Sequence, residues 1–468
     1  MQMISRSVPI GRRAWGVVGL CLVATSGGCG REMTNVTPPP PPPDTELRAL
    51  IAQWGVIPIL PEVAPTNPAL VQLGRALFFD KILSGNRDVA CATCHTARAG
   101  FGDGLSLAVG TGATEVDGQR VPGEGRQRVP RNAPSLVNVG LGMFYAFWDG
   151  RLTQFGPFLG PGSSPVPPGP LPPNVGDLLV AQALLPVVNR LEMLGQPGDV
   201  DQLGRPNELA ALPDDQPDEM RRAIMLRLLA IPEYVAMFNA AFPGVSQNAL
   251  GFEHAARAIA AFETHAFRRT NTPFDRYLAR NDAALSAAAK RGARIFFGEG
   301  QCASCHGGPL LGGGDFANVG APQVGPGVGE GAPLDRGRGE LFPEISVYQF
   351  AFRAPPLRNV ELTAPYTHSG AYPTLEAVVR HYSNVQKAVR SYDVAQLSPA
   401  LRSAYHGDEA TINALLESLD FRVRRPLEFT PDEERDLVAF LKSLTDPAAR
   451  DLSSLVPQSV PSGLPVGR

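Results

Sequence analysis

The chain has 468 residues, with 42 Lys and Arg against 45 Asp and Glu, for a formal net charge of −3. Hydrophobic residues make up 44% of it, a globular level with enough apolar surface for two or three ordinary domains. The near-neutral balance supplies no basic face, which excludes the nucleic-acid-binding class.

At the N-terminus Arg6, Arg12 and Arg13 precede the apolar run Ala14–Ala24 and then Ser26-Gly27-Gly28. That is the layout of a secretory signal, and the run falls short of the ~20 residues that span a bilayer. A periplasmic or otherwise exported location is expected. Cys29 follows and is a candidate lipid-anchored first residue, although Ser26 stands where a lipidation signal usually has Leu. Pro38–Pro43 is an unbroken proline run, expected to be an extended spacer. Helical periodicity starts near Thr45 and recurs at Pro68–Phe79, Met220–Leu229, Ala249–Phe267, Ala283–Phe297, Thr374–Tyr382, Glu409–Leu419 and Pro431–Leu444. No series of alternating strands is evident. Gly/Pro-rich loops intervene at Gly156–Gly176, Gly195–Gln216 and Gly312–Gly339. The expected fold is mostly α, with large loops.

Two Cys-x-x-Cys-His runs stand out, Cys91-Ala92-Thr93-Cys94-His95 and Cys302-Ala303-Ser304-Cys305-His306. This pentapeptide attaches a c-type haem: two thiols bond the porphyrin and the His takes the iron. Of six cysteines, Cys21 and Cys29 fall in or at the end of the signal, so none remains for a disulfide framework. The surroundings repeat as well. Gly74-Arg75-Ala76-Leu77-Phe78-Phe79 and Gly292-Ala293-Arg294-Ile295-Phe296-Phe297 precede the two motifs. Ala133-Pro134-Ser135-Leu136-Val137-Asn138-Val139 and Ala354-Pro355-Pro356-Leu357-Arg358-Asn359-Val360 follow them. A duplicated cytochrome c-like domain explains the order. The expected organisation is a signal at 1–29, a proline-rich linker at 30–44, a first haem domain at 45–275, a second at 276–446 and a tail at 447–468.

The second iron ligand distinguishes a carrier from an enzyme. All eight Met residues (Met1, Met3, Met33, Met143, Met193, Met220, Met225 and Met237) precede Cys302. The second half therefore offers His368, His381, His406 or tyrosines such as Tyr382. His254 and His265, eleven positions apart on one helix, read as structural or exposed.

The motifs Leu77-Phe78-Phe79-Asp80, Arg131-Asn132-Ala133-Pro134, Phe147-Trp148-Asp149-Gly150-Arg151, Leu191-Glu192-Met193, Pro365-Tyr366-Thr367-His368-Ser369-Gly370 and Thr374-Leu375-Glu376 carry a family resemblance. From Leu73 to Thr445 the chain resembles the bacterial diheme cytochrome c peroxidases, in particular their methylamine-dehydrogenase-maturation branch. The resemblance implies an enzyme in which hydrogen peroxide reacts at the first haem, ligated by His95. Electrons would reach it through the second haem, ligated by His306, from a small c-type cytochrome or another exported donor. It implies Glu192 as the acid–base group and Gln182 as the residue that orients peroxide. Trp148 would sit between the haems, and Tyr382 would be the second ligand of the His306 haem, with His381 as the alternative. Asn132, Thr363 and Pro365 match a calcium site. Val109-Gly110-Thr111-Gly112 stands where many relatives carry a removable distal His, and a threonine hydroxyl is a poor iron ligand. Thr111 and the missing Met favour the maturation branch, which oxidises a partner protein or organic substrate. A non-catalytic diheme electron carrier is the reading from a different class.

Overall fold

Helix boundaries follow the local capping chemistry. The computed structural model describes residues 43–59, 66–154 and 175–467. The signal, Cys29, the proline run up to residue 42 and nearly all of the Gly156–Gly176 insert lie outside them. The described helices are α1 (Pro43–Ala52), α2 (Pro68–Phe79), α3 (Cys91–Cys94), α4 (Leu178–Ala183), α5 (Pro217–Leu229), α6 (Pro232–Ala241), α7 (Phe252–Ala266), α8 (Pro273–Leu278), α9 (Ala287–Phe297), α10 (Leu375–Ser383), α11 (Val385–Arg390), α12 (Glu409–Glu417) and α13 (Pro431–Ser443). The described strands form three two-stranded ladders, β1 (Ala113–Val116) with β2 (Gln119–Pro122), β3 (Tyr145–Ala146) with β4 (Leu152–Thr153), and β5 (Phe316–Ala317) with β6 (Phe352–Arg353), and short 3-10 turns punctuate the loops between elements. Proline at the first turn starts α2, α5, α6, α8 and α13, where its missing N–H costs nothing. Thr430 and Glu433 close a reciprocal cap on α13. The sequence reading passed over α6, although Tyr234, Phe238 and Ala241 bury one face at helical spacing and Pro232 marks its start.

The repeat has a physical basis in two helix crossings. Gly74 of α2 lies so close to α7 that a Cβ there would stand 1.8 Å from the Ala258 carbonyl oxygen. Gly292 of α9 meets α13 in the same way, at 1.9 Å from the Asp436 carbonyl oxygen. Any side chain at either position would push the helices apart. An aromatic cluster packs beside each crossing: Phe78, Phe79, Phe262 and Phe267 in the first half, Phe274, Phe296, Phe297 and Phe440 in the second.

The repeated asparagines are equivalent too. Asn138 and Asn359 both adopt φ 66°, a left-handed conformation that Asn tolerates. Their amides converge on one acceptor, the Arg269 carbonyl, at 2.9 and 3.2 Å. The two half-molecules are thus tied at the end of α7.

The chain termini cross over. Leu47, Ile51 and Val56 belong to the core around α9 and α13, so the segment from residue 45, assigned by sequence to the first half, packs with the second. Leu452 and Val460 belong to the core around α2 and α7. At its end the chain donates from Gly467 N to Phe79 O at 2.8 Å, and from Ser462 Oγ to Asp80 Oδ1 at 2.6 Å.

Candidate functional site

A single chamber of about 640 Å3 carries both Cys-x-x-Cys-His segments on its wall. An apolar cavity that accepts a benzene is ~150 Å3, so this is room for prosthetic groups rather than a packing gap. Nδ1 of His95 is 2.9 Å from the Phe101 carbonyl, and Nδ1 of His306 is 3.2 Å from that of Leu311. A carbonyl holds the proton on Nδ1 and leaves the Nε2 lone pair for a metal. Burial lowers the pKa of both imidazoles, which favours the neutral, ligating form. The same burial pushes the thiols of Cys91, Cys94, Cys302 and Cys305 up to about 12. Thiols so reluctant to ionise are unsuited to disulfide exchange, and their pairing beside a chamber suits thioether attachment. The residues therefore fit two c-type haems.

Glu192 and Gln182 reach the chamber wall from two short elements. Asp177 caps α4 by accepting from Leu179 N and Val180 N, and α4 presents Gln182 to the chamber. Asn189 begins a single π-turn, Arg190–Leu194, by accepting from Leu191 N at 2.9 Å. Its Nδ2 also donates to Glu192 Oε1 at 3.0 Å. One side chain thus both shapes the turn and aims the carboxylate, a use of a π-turn seen at functional sites. Burial raises the pKa of Glu192, against a smaller lowering by Arg151. Thr111 is buried and absent from the chamber wall. Its hydroxyl donates to Asp88 Oδ1 at 2.8 Å, and its N–H to Glu192 O at 2.9 Å. Thr111 is thus a brace for the Glu192 turn.

In the second half both nitrogens of His381 are engaged. Nδ1 lies 2.8 Å from Tyr372 Oη and Nε2 lies 2.7 Å from the Val319 carbonyl. Tyr382 lines the chamber, its hydroxyl pKa raised by burial and then by the fields of Cys305 and Cys302. His406 is bonded to the Gly325 carbonyl at 2.8 Å. His254 stays at the start of α7 and His265 is exposed, as expected for structural or surface histidines.

Where the halves meet, they exchange backbone hydrogen bonds. Asn132 N donates to His368 O and Arg353 N to Trp148 O, each at 2.7 Å. Asn132 and Arg353 each precede the Ala-Pro of their repeat, so they are equivalent positions. Trp148 and His368 each follow a left-handed non-glycine residue, Phe147 (φ 65°) and Thr367 (φ 78°). All four line the chamber. Trp148 Nε1 donates to the Asn132 carbonyl at 2.9 Å, and the His368 ring stacks on Phe352 at 3.6 Å. Asn132, Thr363 and Pro365 share the same wall, and Asn132 Nδ2 is taken by the Leu105 carbonyl, which leaves Oδ1 as its acceptor.

Sequence reasoning missed Arg353 and Glu263. The repeat alignment could have found Arg353, opposite Asn132. Glu263 is a buried carboxyl on the chamber wall, pushed up to about 8 by burial and by Asp177, and its Oε2 has no partner among the described residues.

The sequence profile of the di-haem cytochrome c peroxidases matches residues 68–283. The methylamine utilization protein MauG of Methylorubrum extorquens is 31% identical over 400 residues, 84% of either chain. This chain belongs to the di-haem cytochrome c peroxidase family. Cytochrome c551 peroxidase of Pseudomonas aeruginosa is 32% identical over 343 residues, 72% of this chain and 79% of the relative. Among solved structures, a MauG-like protein associated with microbial copper homeostasis superposes with a TM-score of 0.56 at 26% identity, over 85% of this chain and 95% of that one. The diheme peroxidase BthA from Burkholderia thailandensis shares the fold, with a TM-score of 0.53 at 20% identity over 83% of this chain and 88% of that one. As a member of the family the protein is an oxidoreductase with two c-type haems, one at Cys91 and Cys94 and one at Cys302 and Cys305.

Proposed function

We propose that the protein reduces hydrogen peroxide at the His95 site, with electrons relayed past Trp148 from the His306 and Tyr382 site and supplied by a small c-type cytochrome or another exported donor. The convergence of Glu192 and Gln182 on the chamber wall, with Thr111 turned away from it, carries this reading. The haems, when bound, supply the redox centres from which peroxide takes two electrons. Glu192 accepts the proton of one peroxide oxygen and returns it to the other as water departs. Asn189 engages Oε1, so Oε2 is the oxygen left for that transfer. The amide of Gln182 orients peroxide by hydrogen bonding. Because the base form of Glu192 is required and burial raises its pKa, turnover falls with acidification from above the ordinary glutamate range. The free phenol of Tyr382 and the locked His381 support Tyr382 as the second ligand at the His306 site. The neutral oxygens of Asn132, Thr363 and Pro365 on one wall support a calcium ion there. Export, with Cys29 as a lipid anchor, rests on the sequence layout of residues 6–29.

A second reading, oxidation of a partner protein or organic substrate, is favoured by the same Tyr382 and Thr111. One experiment tests whether the first site is open. One equivalent of hydrogen peroxide is added to the fully oxidised protein without donor, and optical and EPR spectra are recorded. Rapid loss of the high-spin ferric signal is expected. No reaction until the protein has been partly reduced would overturn the open first site and return the reading to a reductively activated enzyme.

A further inference from the structure

Arg353 is only 5% exposed, yet no carboxylate among the described residues bonds it. Its Nε donates to the Phe147 carbonyl at 3.1 Å, and Nη1 has only the Met143 sulfur at 3.9 Å. Nη2 has no protein partner among the described residues, and the side chain lines the chamber. The carboxylate whose field reaches it, Asp149, already accepts from Arg131 and from Arg151. Asp335 is taken by a two-pronged bond from Arg131. Burial without an ion pair lowers the guanidinium pKa to about 10. An isolated buried cation costs several kcal/mol, whereas a guanidinium paired with a carboxylate in its fork geometry offsets that cost.

The first half makes a different choice at the equivalent position. Asn132, neutral, occupies the place of Arg353, so the added charge is specific to one side of the junction. The chamber that Arg353 faces fits two haems, and each haem c carries two carboxylates on the edge away from its thioether bonds. We propose that Arg353 is the internal counter-ion of a haem carboxylate where the two halves meet. The carboxylate comes from the His306 haem or the His95 haem, and the chemistry of recognition is the same. Through Nε the same side chain holds the left-handed Phe147 turn, so that carboxylate and Trp148 share one support.

The proposal rests on bound haem and not on peroxide turnover, so its test uses no peroxide. Spectroelectrochemical titration of the haem-loaded protein is compared with Arg353→Gln and Arg353→Lys. Loss of the nearby positive charge should lower the midpoint potential of one haem in Arg353→Gln, with most of the shift recovered in Arg353→Lys. The haem that shifts identifies the source of the carboxylate. Unchanged potentials at both haems in a folded Arg353→Gln protein would overturn the proposal. Should that variant fail to fold, the crystal structure of the wild-type haem-loaded protein decides. A guanidinium within hydrogen-bond distance of a haem carboxylate sustains the proposal, and one bonded only to protein overturns it.

Discussion

The His95 and His306 sites are built alike up to the ring nitrogen that faces the chamber, and they diverge beyond it. Each has a glycine at a helix crossing, an aromatic cluster beside it and an imidazole whose Nδ1 is held by a carbonyl. Beyond that frame Glu192, whose field reaches Cys94, and Gln182 bring a carboxyl and an amide to the chamber wall. The second presents the phenol of Tyr382 beside a histidine already bonded at both nitrogens, while the Tyr366 and Tyr372 hydroxyls on the same wall are taken by protein partners. Duplication has kept the parts that bind a haem, while short loops and a π-turn decide what each haem can meet. The difference lies in a few residues on a common scaffold.

The strongest way to break the comparison is to make the first site inert. Glu192→Gln should retain both haems and lower peroxide turnover by ~10²–10⁴-fold, the usual contribution of a positioned acid–base group; unchanged turnover removes Glu192 from the chemistry. The common frame is tested by Gly74→Ala and Gly292→Ala, each of which forces a methyl group into a facing carbonyl. Both should lose about 3 kcal/mol of stability in denaturant unfolding. A large loss in only one would mean that the crossings are not equivalent.

Glu263 sharpens the contrast, because α13 carries Leu441 at the corresponding wall position, five residues beyond the carbonyl that meets the glycine. Its folded pKa of about 8 lies above the unfolded value of ~4.3, so the folded state keeps a proton that the unfolded state releases. Stability should therefore fall as pH rises from about 4.5 to about 8. Glu263→Gln should abolish that slope, and its melting temperature should exceed wild type most at pH 8. The loss is about 1.4 kcal/mol for each unit of displacement retained with haem bound. Parallel melting curves for the two proteins across this range would show the carboxyl to be solvated. Tyr382→Phe has the narrowest expected effect: the optical and EPR spectra of the His306 haem change, and those of the His95 haem do not. Unaltered spectra would assign the second ligand elsewhere.

Much of the frame was legible because it is local. The two pentapeptides, the paired Gly-x-x-x-Phe-Phe runs and the Asn138 and Asn359 positions are short patterns whose spacing reflects one helix turn or one loop. The residues around the chamber were legible only through family resemblance. Gln182 and Glu192 approach it on separate elements, and nothing in their spacing announces that they meet. That Thr111 bonds Asp88 through its hydroxyl and the Glu192 turn through its N–H could not be read, since both partners lie far off in sequence and the bonds exist only after folding. Arg353 was overlooked for a related reason: its lack of an ionic partner is a property of the packed interior, whereas arginine in sequence reads as a surface residue. The engagement of His381 depends on Tyr372 and on the distant Val319 carbonyl, so sequence left it an open rival to Tyr382.

The crossing of the two chain ends bears on how the molecule is made. The segment with Leu47 and Ile51 is made well before α9 and α13, yet it packs against them. Leu452 and Val460, which belong to the core around α2, are made long after the rest of that core. Neither core is complete until both repeats have been made, and such long-range pairings slow folding and leave partly formed intermediates exposed. A gene cut between the repeats would yield two fragments, each carrying the other's missing piece. They should recover the native spectrum only when expressed together.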